Sequence, residues 1–210
     1  MYVPAAFALT DDETAAALRR GGFAHLVTGG DADLHSTSLP LLYHPERHSL
    51  VGHVARANPH WRAGDGAPSV AIFAGVHGYV SPRWYPATAS TTRMAPTWNY
   101  ETLTVHGRLV VHDDTDWLLG HVTALTDEHE GGREQPWRAD EVAEASVAAM
   151  LRAIVGVEVT IDRVVGKAKL SQNQPEPNRR AVIERLAASA APEDHALARR
   201  MGAAARPGPR

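Results

Sequence analysis

Two lysines, Lys167 and Lys169, have the residue type and spacing of a site that binds an anion. They lie in the segment GKAKLSQNQ, residues 166–174, and are the only lysines in a chain with nineteen arginines. In a strand both side chains would lie on one face, because successive side chains alternate. Adjacent ammonium groups repel each other unless water or an anion separates them. The pair therefore predicts either a solvated strand end or a phosphate or carboxylate site.

A second segment, GHVARANPHWR at residues 52–62, has an arginine just before a helix start. A strand that ends at Val54 is followed by Asn58 and Pro59, an N-cap with proline at the first helical position. Free N–H groups at a helix N-terminus bind anions, and Arg56 lies beside them. The segment predicts either a cradle for a phosphate or carboxylate, or a capping Asn58 and an Arg56 paired with a carboxylate of the chain.

Aromatic side chains are concentrated in one part of the chain. They predict either a slot for a flat ring system, with neighbouring polar contacts, or an aromatic-rich core or oligomer interface. The aromatic residues are Trp61, Trp84, Trp98, Tyr79, Tyr85 and Tyr100, and the polar residues are Ser81, Thr97 and Asn99. The two interpretations are compatible, because many cofactor slots lie between subunits.

The twelve histidines do not predict a zinc site. No pair on a predicted helix has the spacing that a helical zinc site requires. One histidine is enough to ligate haem iron, and His53 is the first candidate because it precedes the predicted anion cradle; His77 is the second. The chain has no P-loop, GxGxxG or nucleophile-elbow motif, so none of these predicts its chemistry.

Composition excludes several classes of protein. The formal net charge is −3 and the pI is about 6.4, which argues against a general nucleic-acid binder. The absence of cysteine excludes disulfides and cysteine metal sites. No apolar run is long enough to predict a transmembrane helix, and the N-terminus has no signal-peptide pattern. We therefore expect a cytoplasmic protein without a membrane partner.

The order of predicted strands and helices indicates what positions these residues. Thr10 and Glu13 form a capping-box pattern at the start of a helix over residues 10–20. Strands are predicted at 23–28, on both sides of the turn HPER, at 69–82, at 96–113 and at 155–170, with helices at about 114–152 and 178–191. Strands that outnumber helices predict an α+β, mainly β, antiparallel barrel with helical appendages. We expect one domain over residues 1–190 and a flexible tail over 191–210.

Six motifs in order resemble those of the PaiB family of FMN-binding split-barrel proteins. They are MYVP, GHVARANPHW, YVSPRWY, PTWNY, HGRL and GKAKLSQNQ, and the resemblance covers roughly residues 1–190. It implies an FMN-binding split β-barrel that forms a homodimer and holds the flavin at the subunit interface.

The resemblance also implies site residues. Ser36, Thr37 and Ser38 would lie along the flavin, and Arg56 and Asn58 would hold its phosphate. The slot would be closed by Trp98, Asn99, Lys167, Lys169, Ser171 and Gln172. Candidates for a catalytic role are Ser38, Thr37 and Lys169. Relatives usually carry histidine where this chain has Ser38, so the imidazole expected beside the ring is missing from that position.

Three functions remain open at this stage. The first is an FMN-dependent oxidoreductase or flavin-linked regulator, in which the flavin supplies the redox chemistry and a small molecule is the substrate. The second follows a related branch that binds haem b and includes piperazate synthases; there His53 would be the axial ligand of an enzyme that forms an N–N bond in a hydroxylamine. The third is a non-catalytic transcriptional regulator, against which the acidic pI counts.

Overall fold

Six antiparallel strands close into a barrel. The computed structural model describes residues 1–30, 33–86, 95–138 and 141–204. Its strands are β1 (Gly22–Gly29), β2 (Leu34–His44), β3 (Ser49–Ala55), β4 (Pro68–Val80), β5 (Thr97–His112) and β6 (Ile154–Lys169). Their order around the barrel is β1-β2-β3-β6-β5-β4. The predicted α+β, mainly β, barrel is confirmed.

Five helices accompany the strands in the described part of the chain. They are α1 (Asp11–Arg20), α2 (Thr115–Glu130), α3 (Glu144–Arg152), α4 (Glu176–Ala187) and α5 (Pro192–Ala203). The capping box at the start of α1 is confirmed, since Thr10 N donates to Glu13 Oε2 at 2.8 Å and Glu13 N donates to Thr10 Oγ1 at 3.2 Å. None of the helices in these described ranges is long and apolar enough to cross a membrane.

The strands β4, β5 and β6 each run through two compact units. The helical unit comprises Met1–Thr14, Ala74–Leu103 and Val165–Arg210, and the barrel unit comprises Ala15–Phe73 and Thr104–Val164. The segment predicted as one domain, residues 1–190, is therefore divided between two units, each with its own buried residues.

In the barrel unit, the residue pattern of β1 shows how the sequence builds the wall. β1 pairs antiparallel with β2 on one side and with β4 on the other, which closes the barrel. Its alternate residues Ala24, Leu26 and Thr28 have no exposed surface, whereas Phe23 and His25 are exposed. This period of two separates an interior from an outward face.

Helix α2 lies against the outer side of β6. Trp117 of α2 contacts Gly156, where a Cβ would overlap the indole ring. β6 is consequently buried on both sides at this level, and Val155, Val157 and Val159 have no exposed surface. Val155, Val157 and Val159 alternate along β6 with Gly156, which faces α2, and with Glu158, so the valines form the interior face of the strand.

The helical unit has a core formed by α4, α5 and the adjoining strand residues. Its fully buried members are Val80, Leu170, Val182, Leu186, Leu197 and Met201. The expected flexible tail over 191–210 was therefore wrong for Pro192–Ala203, which form α5 and bury Leu197 and Met201 against the core. Residues 205–210 lie outside the described residues.

Gly107 is required by the close approach of β5 to β6. A Cβ at this position would overlap the carbonyl oxygen of Thr160. Because the obstructing atom belongs to the backbone, a side-chain rotation cannot relieve the overlap, and the two strands would have to separate.

We expect Gly107→Ala to lower the free energy of unfolding by about 2 kcal/mol or more, since overpacking forces backbone shifts. Gly120→Ala is the matched control: Gly120 lies inside α2 with no atom near the position of a new Cβ. That control should raise stability by up to about 1 kcal/mol through helix propensity. Urea denaturation measures both, and equal stability of the two variants would contradict the steric explanation.

Candidate functional site

The outward face of β1 and β2 is lined with polar side chains. Ser36 and Ser38 are exposed on β2, and the side chain of Thr37 between them points to the opposite side. His25 is the cross-strand partner of Ser38, and its Nδ1 lies 2.8 Å from Ser38 Oγ. His25 therefore places an imidazole next to residue 38, although residue 38 itself is a serine.

Behind this face, a buried histidine joins four segments of the barrel unit. His60, only 1% exposed, lies in the one-turn 3-10 helix Pro59–Ala63. Its Nδ1 is 2.9 Å from Thr37 Oγ1, and its Nε2 is 2.8 Å from Thr28 Oγ1. Thr28 Oγ1 lies 2.7 Å from Ser69 Oγ, which donates to the carbonyl of Ala67. The network links β1, β2 and β4 to the segment after β3.

The directions of these hydrogen bonds determine the tautomer of His60. Ser69 donates to a carbonyl, so its oxygen accepts from Thr28, and Thr28 in turn accepts from His60 Nε2–H. Nδ1 of His60 then accepts from the hydroxyl of Thr37. Asn58 completes the set, since its amide nitrogen donates to Thr37 at 3.1 Å and its oxygen accepts from His60 N. Burial lowers the pKa of His60 to about 4, and nearby His35 contributes.

The guanidinium of Arg56 is engaged within the barrel unit. It forms a bidentate ion pair with Asp113, and it also donates to the carbonyls of Arg152 and Ile154 at 2.7 and 2.9 Å. The hydrogen bond to Asp113 raises the pKa of Arg56 and lowers that of Asp113. Arg56 therefore fastens the end of α3 to the segment after β3. A phosphate at Arg56 would have to share it with Asp113.

His53 belongs to a cluster of aromatic rings from β3, β5 and α2. Its Nδ1 lies 3.1 Å from His121 Nε2, and Trp117 stacks on both His121 and His112. Burial lowers the pKa of His53, and it lowers that of His121 to about 4. His53 is therefore a neutral imidazole with one nitrogen held in place by a neighbour. Among the described residues, no group of three potential ligands could hold a metal ion.

In the helical unit, Lys167 and Lys169 both lie near Tyr100 and bind neutral oxygens. Lys167 Nζ is 5.2 Å from the centre of the Tyr100 ring and donates to the carbonyl of Tyr2 at 3.1 Å. Lys169 Nζ donates to Thr97 Oγ1 and to the carbonyl of Trp98, both at 2.6 Å. Burial lowers the pKa of Lys169, an effect that Tyr100 opposes and Lys167 reinforces.

A cavity of about 290 Å³ adjoins Lys169, and a strained residue forms part of its wall. Ser171 has a φ of 63°, in the left-handed region that serine rarely adopts. Its hydroxyl accepts from the buried amide of Asn99 at 2.9 Å. Gln172 bridges the backbone, accepting from Leu170 N and donating to the carbonyl of Ala168. Such backbone strain, about 1–3 kcal/mol, persists where surrounding contacts enforce it, often at functional sites.

The aromatic residues do not form one cluster. In the helical unit, Trp98 is 53% exposed and stacks on His77, and Tyr79 meets Trp98 and Trp84 edge-on. In the barrel unit, Trp61 donates its indole N–H to the carbonyl of Arg56. Trp61 therefore has a structural contact of its own, and the other rings form a partly exposed group.

Residues 1–163 match the family described as "Putative FMN-binding domain". The chain belongs to this family. The matched segment contains the whole barrel unit except Val164, together with the parts of the helical unit that precede β6. It ends before Lys167, Lys169, Ser171 and Gln172, so those four residues lie outside the part that defines membership.

Individual proteins are similar to part of this chain. An uncharacterized protein of Saccharomyces cerevisiae is 33% identical over 90 residues, which are 42% of this chain and 53% of that protein. The chain spans about half the length of the curated relatives it matches.

Two solved structures share the fold. A FAD- and heme-binding protein of Mycobacterium smegmatis has 21% identity and a TM-score of 0.57, over 78% of this chain and 73% of that one. A flavocytochrome of Azotobacter vinelandii has 16% identity and a TM-score of 0.53, over 77% and 68%. At these identities the likenesses show that the chain shares the barrel fold of the two proteins.

The structure groups the predicted site residues by unit. Ser36, Thr37, Ser38, His53, Arg56 and Asn58 lie in the barrel unit, and Trp98, Asn99, Lys167, Lys169, Ser171 and Gln172 lie in the helical unit. Their role toward a cofactor stays a prediction. Sequence reasoning missed His25, His60 and His121. The alternation of β1 could have placed His25 on the outward face, but no local signal indicated the partners of His60 or His121.

We expect the stability of this FMN-binding family member to fall with acidification below neutral pH. The pKa of His60 is about 4 in the folded chain and 6.5 in the unfolded one, so the unfolded chain binds the proton first. The stabilisation is complete above pH 6.5 and is lost toward pH 4. Between pH 7 and 5, His60 alone should account for about 2 kcal/mol.

The measurement is urea unfolding as a function of pH. His60→Gln should flatten the profile, because glutamine does not titrate, and the surface variant His129→Gln is the matched control. An unchanged pH slope in His60→Gln would contradict the assignment of a neutral buried His60.

Proposed function

We propose that this protein binds FMN and acts as a flavin-linked oxidoreductase on a small molecule. Membership of the FMN-binding family over residues 1–163 carries the proposal. The resemblance to PaiB proteins is a finer assignment that the six sequence motifs support. When bound, FMN supplies one- or two-electron transfer, and the chain supplies binding, orientation and proton handling.

The outward face of β1 and β2 fits a flat ring system. Ser36 and Ser38 are small, so a ring can approach the strand closely, and their hydroxyls offer hydrogen bonds to its polar edge. Phe23 and Leu34 are 67% and 69% exposed on the same face and offer apolar contacts. Exposed apolar residues on a sheet face also support a homodimer, in which a second copy would cover the ring.

The pair His25 and Ser38 supports acid–base chemistry at this face. The 2.8 Å separation of His25 Nδ1 and Ser38 Oγ allows a proton to pass between the imidazole and a bound molecule through the hydroxyl. The paired strand thus provides the imidazole that the family resemblance implied at position 38. Thr37, whose side chain accepts from Asn58, positions the strand and does not itself reach the outward face.

The phosphate of FMN remains assigned to Arg56 and Asn58 as a proposal. Asp113 is 58% exposed, so its carboxylate can turn to solvent and release the guanidinium. The alternative role for Arg56 is purely structural, as the clamp between α3 and the segment after β3.

Two substitutions separate these roles. If Arg56 binds phosphate, Arg56→Ala should lower the affinity for FMN by roughly tenfold or more. Asp113→Asn should raise that affinity, because it frees the guanidinium of Arg56. If Arg56 is only a clamp, both variants should be less stable and neither should change FMN affinity at a temperature where both are folded. Flavin fluorescence titration and thermal denaturation provide the two readouts.

A haem b enzyme that forms an N–N bond in a hydroxylamine is the second candidate function. The observation that favours it is His53, whose Nδ1 is held by His121. Ligating histidines commonly have the other ring nitrogen fixed in this way, and burial keeps His53 neutral, the form that binds iron. A non-catalytic regulator is the third candidate, which the net charge of −3 does not favour.

The absorption spectrum after addition of FMN or haemin tests the proposal. We expect bands near about 450 nm with quenched flavin fluorescence. Ser36→Trp should block the outward face and reduce FMN affinity by more than about tenfold, whereas Ser146→Trp, on the exposed side of α3, should not. Light scattering on the same samples distinguishes loss of FMN from loss of the dimer.

A Soret band near about 410 nm that disappears in His53→Ala would replace the flavin function with the haem function. Equal FMN affinity in Ser36→Trp and Ser146→Trp would exclude the face of β1 and β2 as the flavin site.

A further inference from the structure

Lys167 is buried and Lys169 is half-buried, and the described residues offer neither lysine a compensating anion. Lys167 is 9% exposed. None of the ion pairs among the described residues includes either lysine. Their hydrogen-bond partners are neutral, namely the hydroxyl of Thr97 and the carbonyls of Trp98 and Tyr2. Buried charges are usually paired, so an uncompensated pair indicates a missing anion.

The ammonium groups also retain donors for such an anion. Each lysine has three N–H groups. Lys169 uses two on neutral oxygens, and Lys167 uses one besides its contact with the face of Tyr100. An oxyanion would accept from the remaining donors and would relieve the repulsion between the two charges.

The cavity beside Lys169 has the size and lining of a site for a small polar molecule. Its volume of about 290 Å³ lies just below the range of roughly 300–1,000 Å³ typical of small-molecule sites. Thr97, Asn99, Ser171 and Gln174 line it together with Lys169, and Tyr85 adds an aromatic wall. Ser171, with its strained backbone, forms the part of the cavity lining next to Lys169.

This cavity is only partly built from the segment that defines the FMN-binding family: Tyr85, Thr97 and Asn99 lie inside that segment, and the residues around Lys169 do not. The match ends at residue 163, whereas Lys169, Ser171 and Gln174 follow it. The cavity is also too small to enclose an entire flavin nucleotide.

We infer that the cavity beside Lys169 binds a small molecule with a phosphate or carboxylate group, separate from the flavin. Lys169 donates to the oxyanion, Lys167 adds positive potential, and Asn99, Ser171 and Thr97 provide neutral polar contacts. The inference does not depend on the proposed flavin function, because it rests on the charges of Lys167 and Lys169 and on a cavity too small for a flavin nucleotide.

Competitive acetylation tests the inference on the wild-type protein without flavin. The chain has only two lysines, so acetic anhydride followed by mass spectrometry reports each one, with the amine of Met1 as internal reference. Inorganic phosphate and acetate are the two probes, and chloride at equal ionic strength is the control. We expect phosphate, acetate or both to slow acetylation of Lys169 severalfold, and the more effective probe identifies the class of ligand.

Variants provide the second readout. Lys169→Met should lower the affinity for the anion that protects Lys169 by at least about tenfold, because a charge-assisted hydrogen bond is lost. A thermal-shift titration measures this affinity. Arg199→Met is the matched control, since it removes one positive charge from the exposed side of α5 in the same unit. It should leave the titration unchanged.

Two results would overturn the inference. One is the same acetylation rate in phosphate, acetate and chloride. The other is protection by FMN but not by riboflavin or the inorganic probes, which would make the lysines part of the flavin phosphate site. Failure of the flavin proposal is recognised separately, as no binding of FMN to the wild-type protein.

Discussion

A neutral imidazole held between two threonine hydroxyls is the interaction on which the barrel unit depends. His60 connects Thr28 of β1 to Thr37 of β2, and Ser69 extends the connection to β4. Thr28, His60 and Ser69 are buried, so the loss of one of them leaves another without a hydrogen bond, at a cost of about 1–3 kcal/mol. The outward residues on either side of Thr37 take their positions from this internal anchor.

The positively charged side chains differ in whether the chain already pairs them with a carboxylate. Arg56 has the planar fork that suits a carboxylate, and it uses that fork on Asp113 and on carbonyls at the end of α3. Within the described ranges, Lys167 and Lys169 contact neutral oxygens and the Tyr100 ring, and no carboxylate forms an ion pair with either lysine. Residue type alone would rank the arginine first as an anion ligand. Because Arg56 is already paired with a carboxylate, the two lysines are the better candidates to bind an added anion.

Local signals in the sequence were sufficient for most of the fold. The capping box of α1 and the strand predicted at 23–28 involve residues a few positions apart, and both are confirmed. Helix α5 was missed because the apolar residues that define it, Leu197 and Met201, are stabilised by α4 and not by their neighbours in the chain. Long-range contacts decided what was missed at the site.

Those long-range contacts are specific. Arg56 meets Asp113, 57 positions away, and His53 meets His121, 68 positions away. The pair of His25 and Ser38 is separated by only 13 positions, so the register between the neighbouring strands β1 and β2 would have revealed it. Charge and residue type identified which side chains could bind a ligand or transfer a proton. Only the fold determines which of those side chains already form hydrogen bonds or ion pairs within the chain.

The fixed tautomer of His60 gives the barrel its own spectroscopic label. An imidazole N–H that is enclosed by protein and donates to a threonine oxygen exchanges slowly with water, so its proton should be visible as a separate NMR resonance. That signal comes from the interior and does not require a bound cofactor. The resonance of this proton can therefore report whether the hydrogen-bond network behind Ser36 and Ser38 stays intact when a ligand binds to or leaves the outward face.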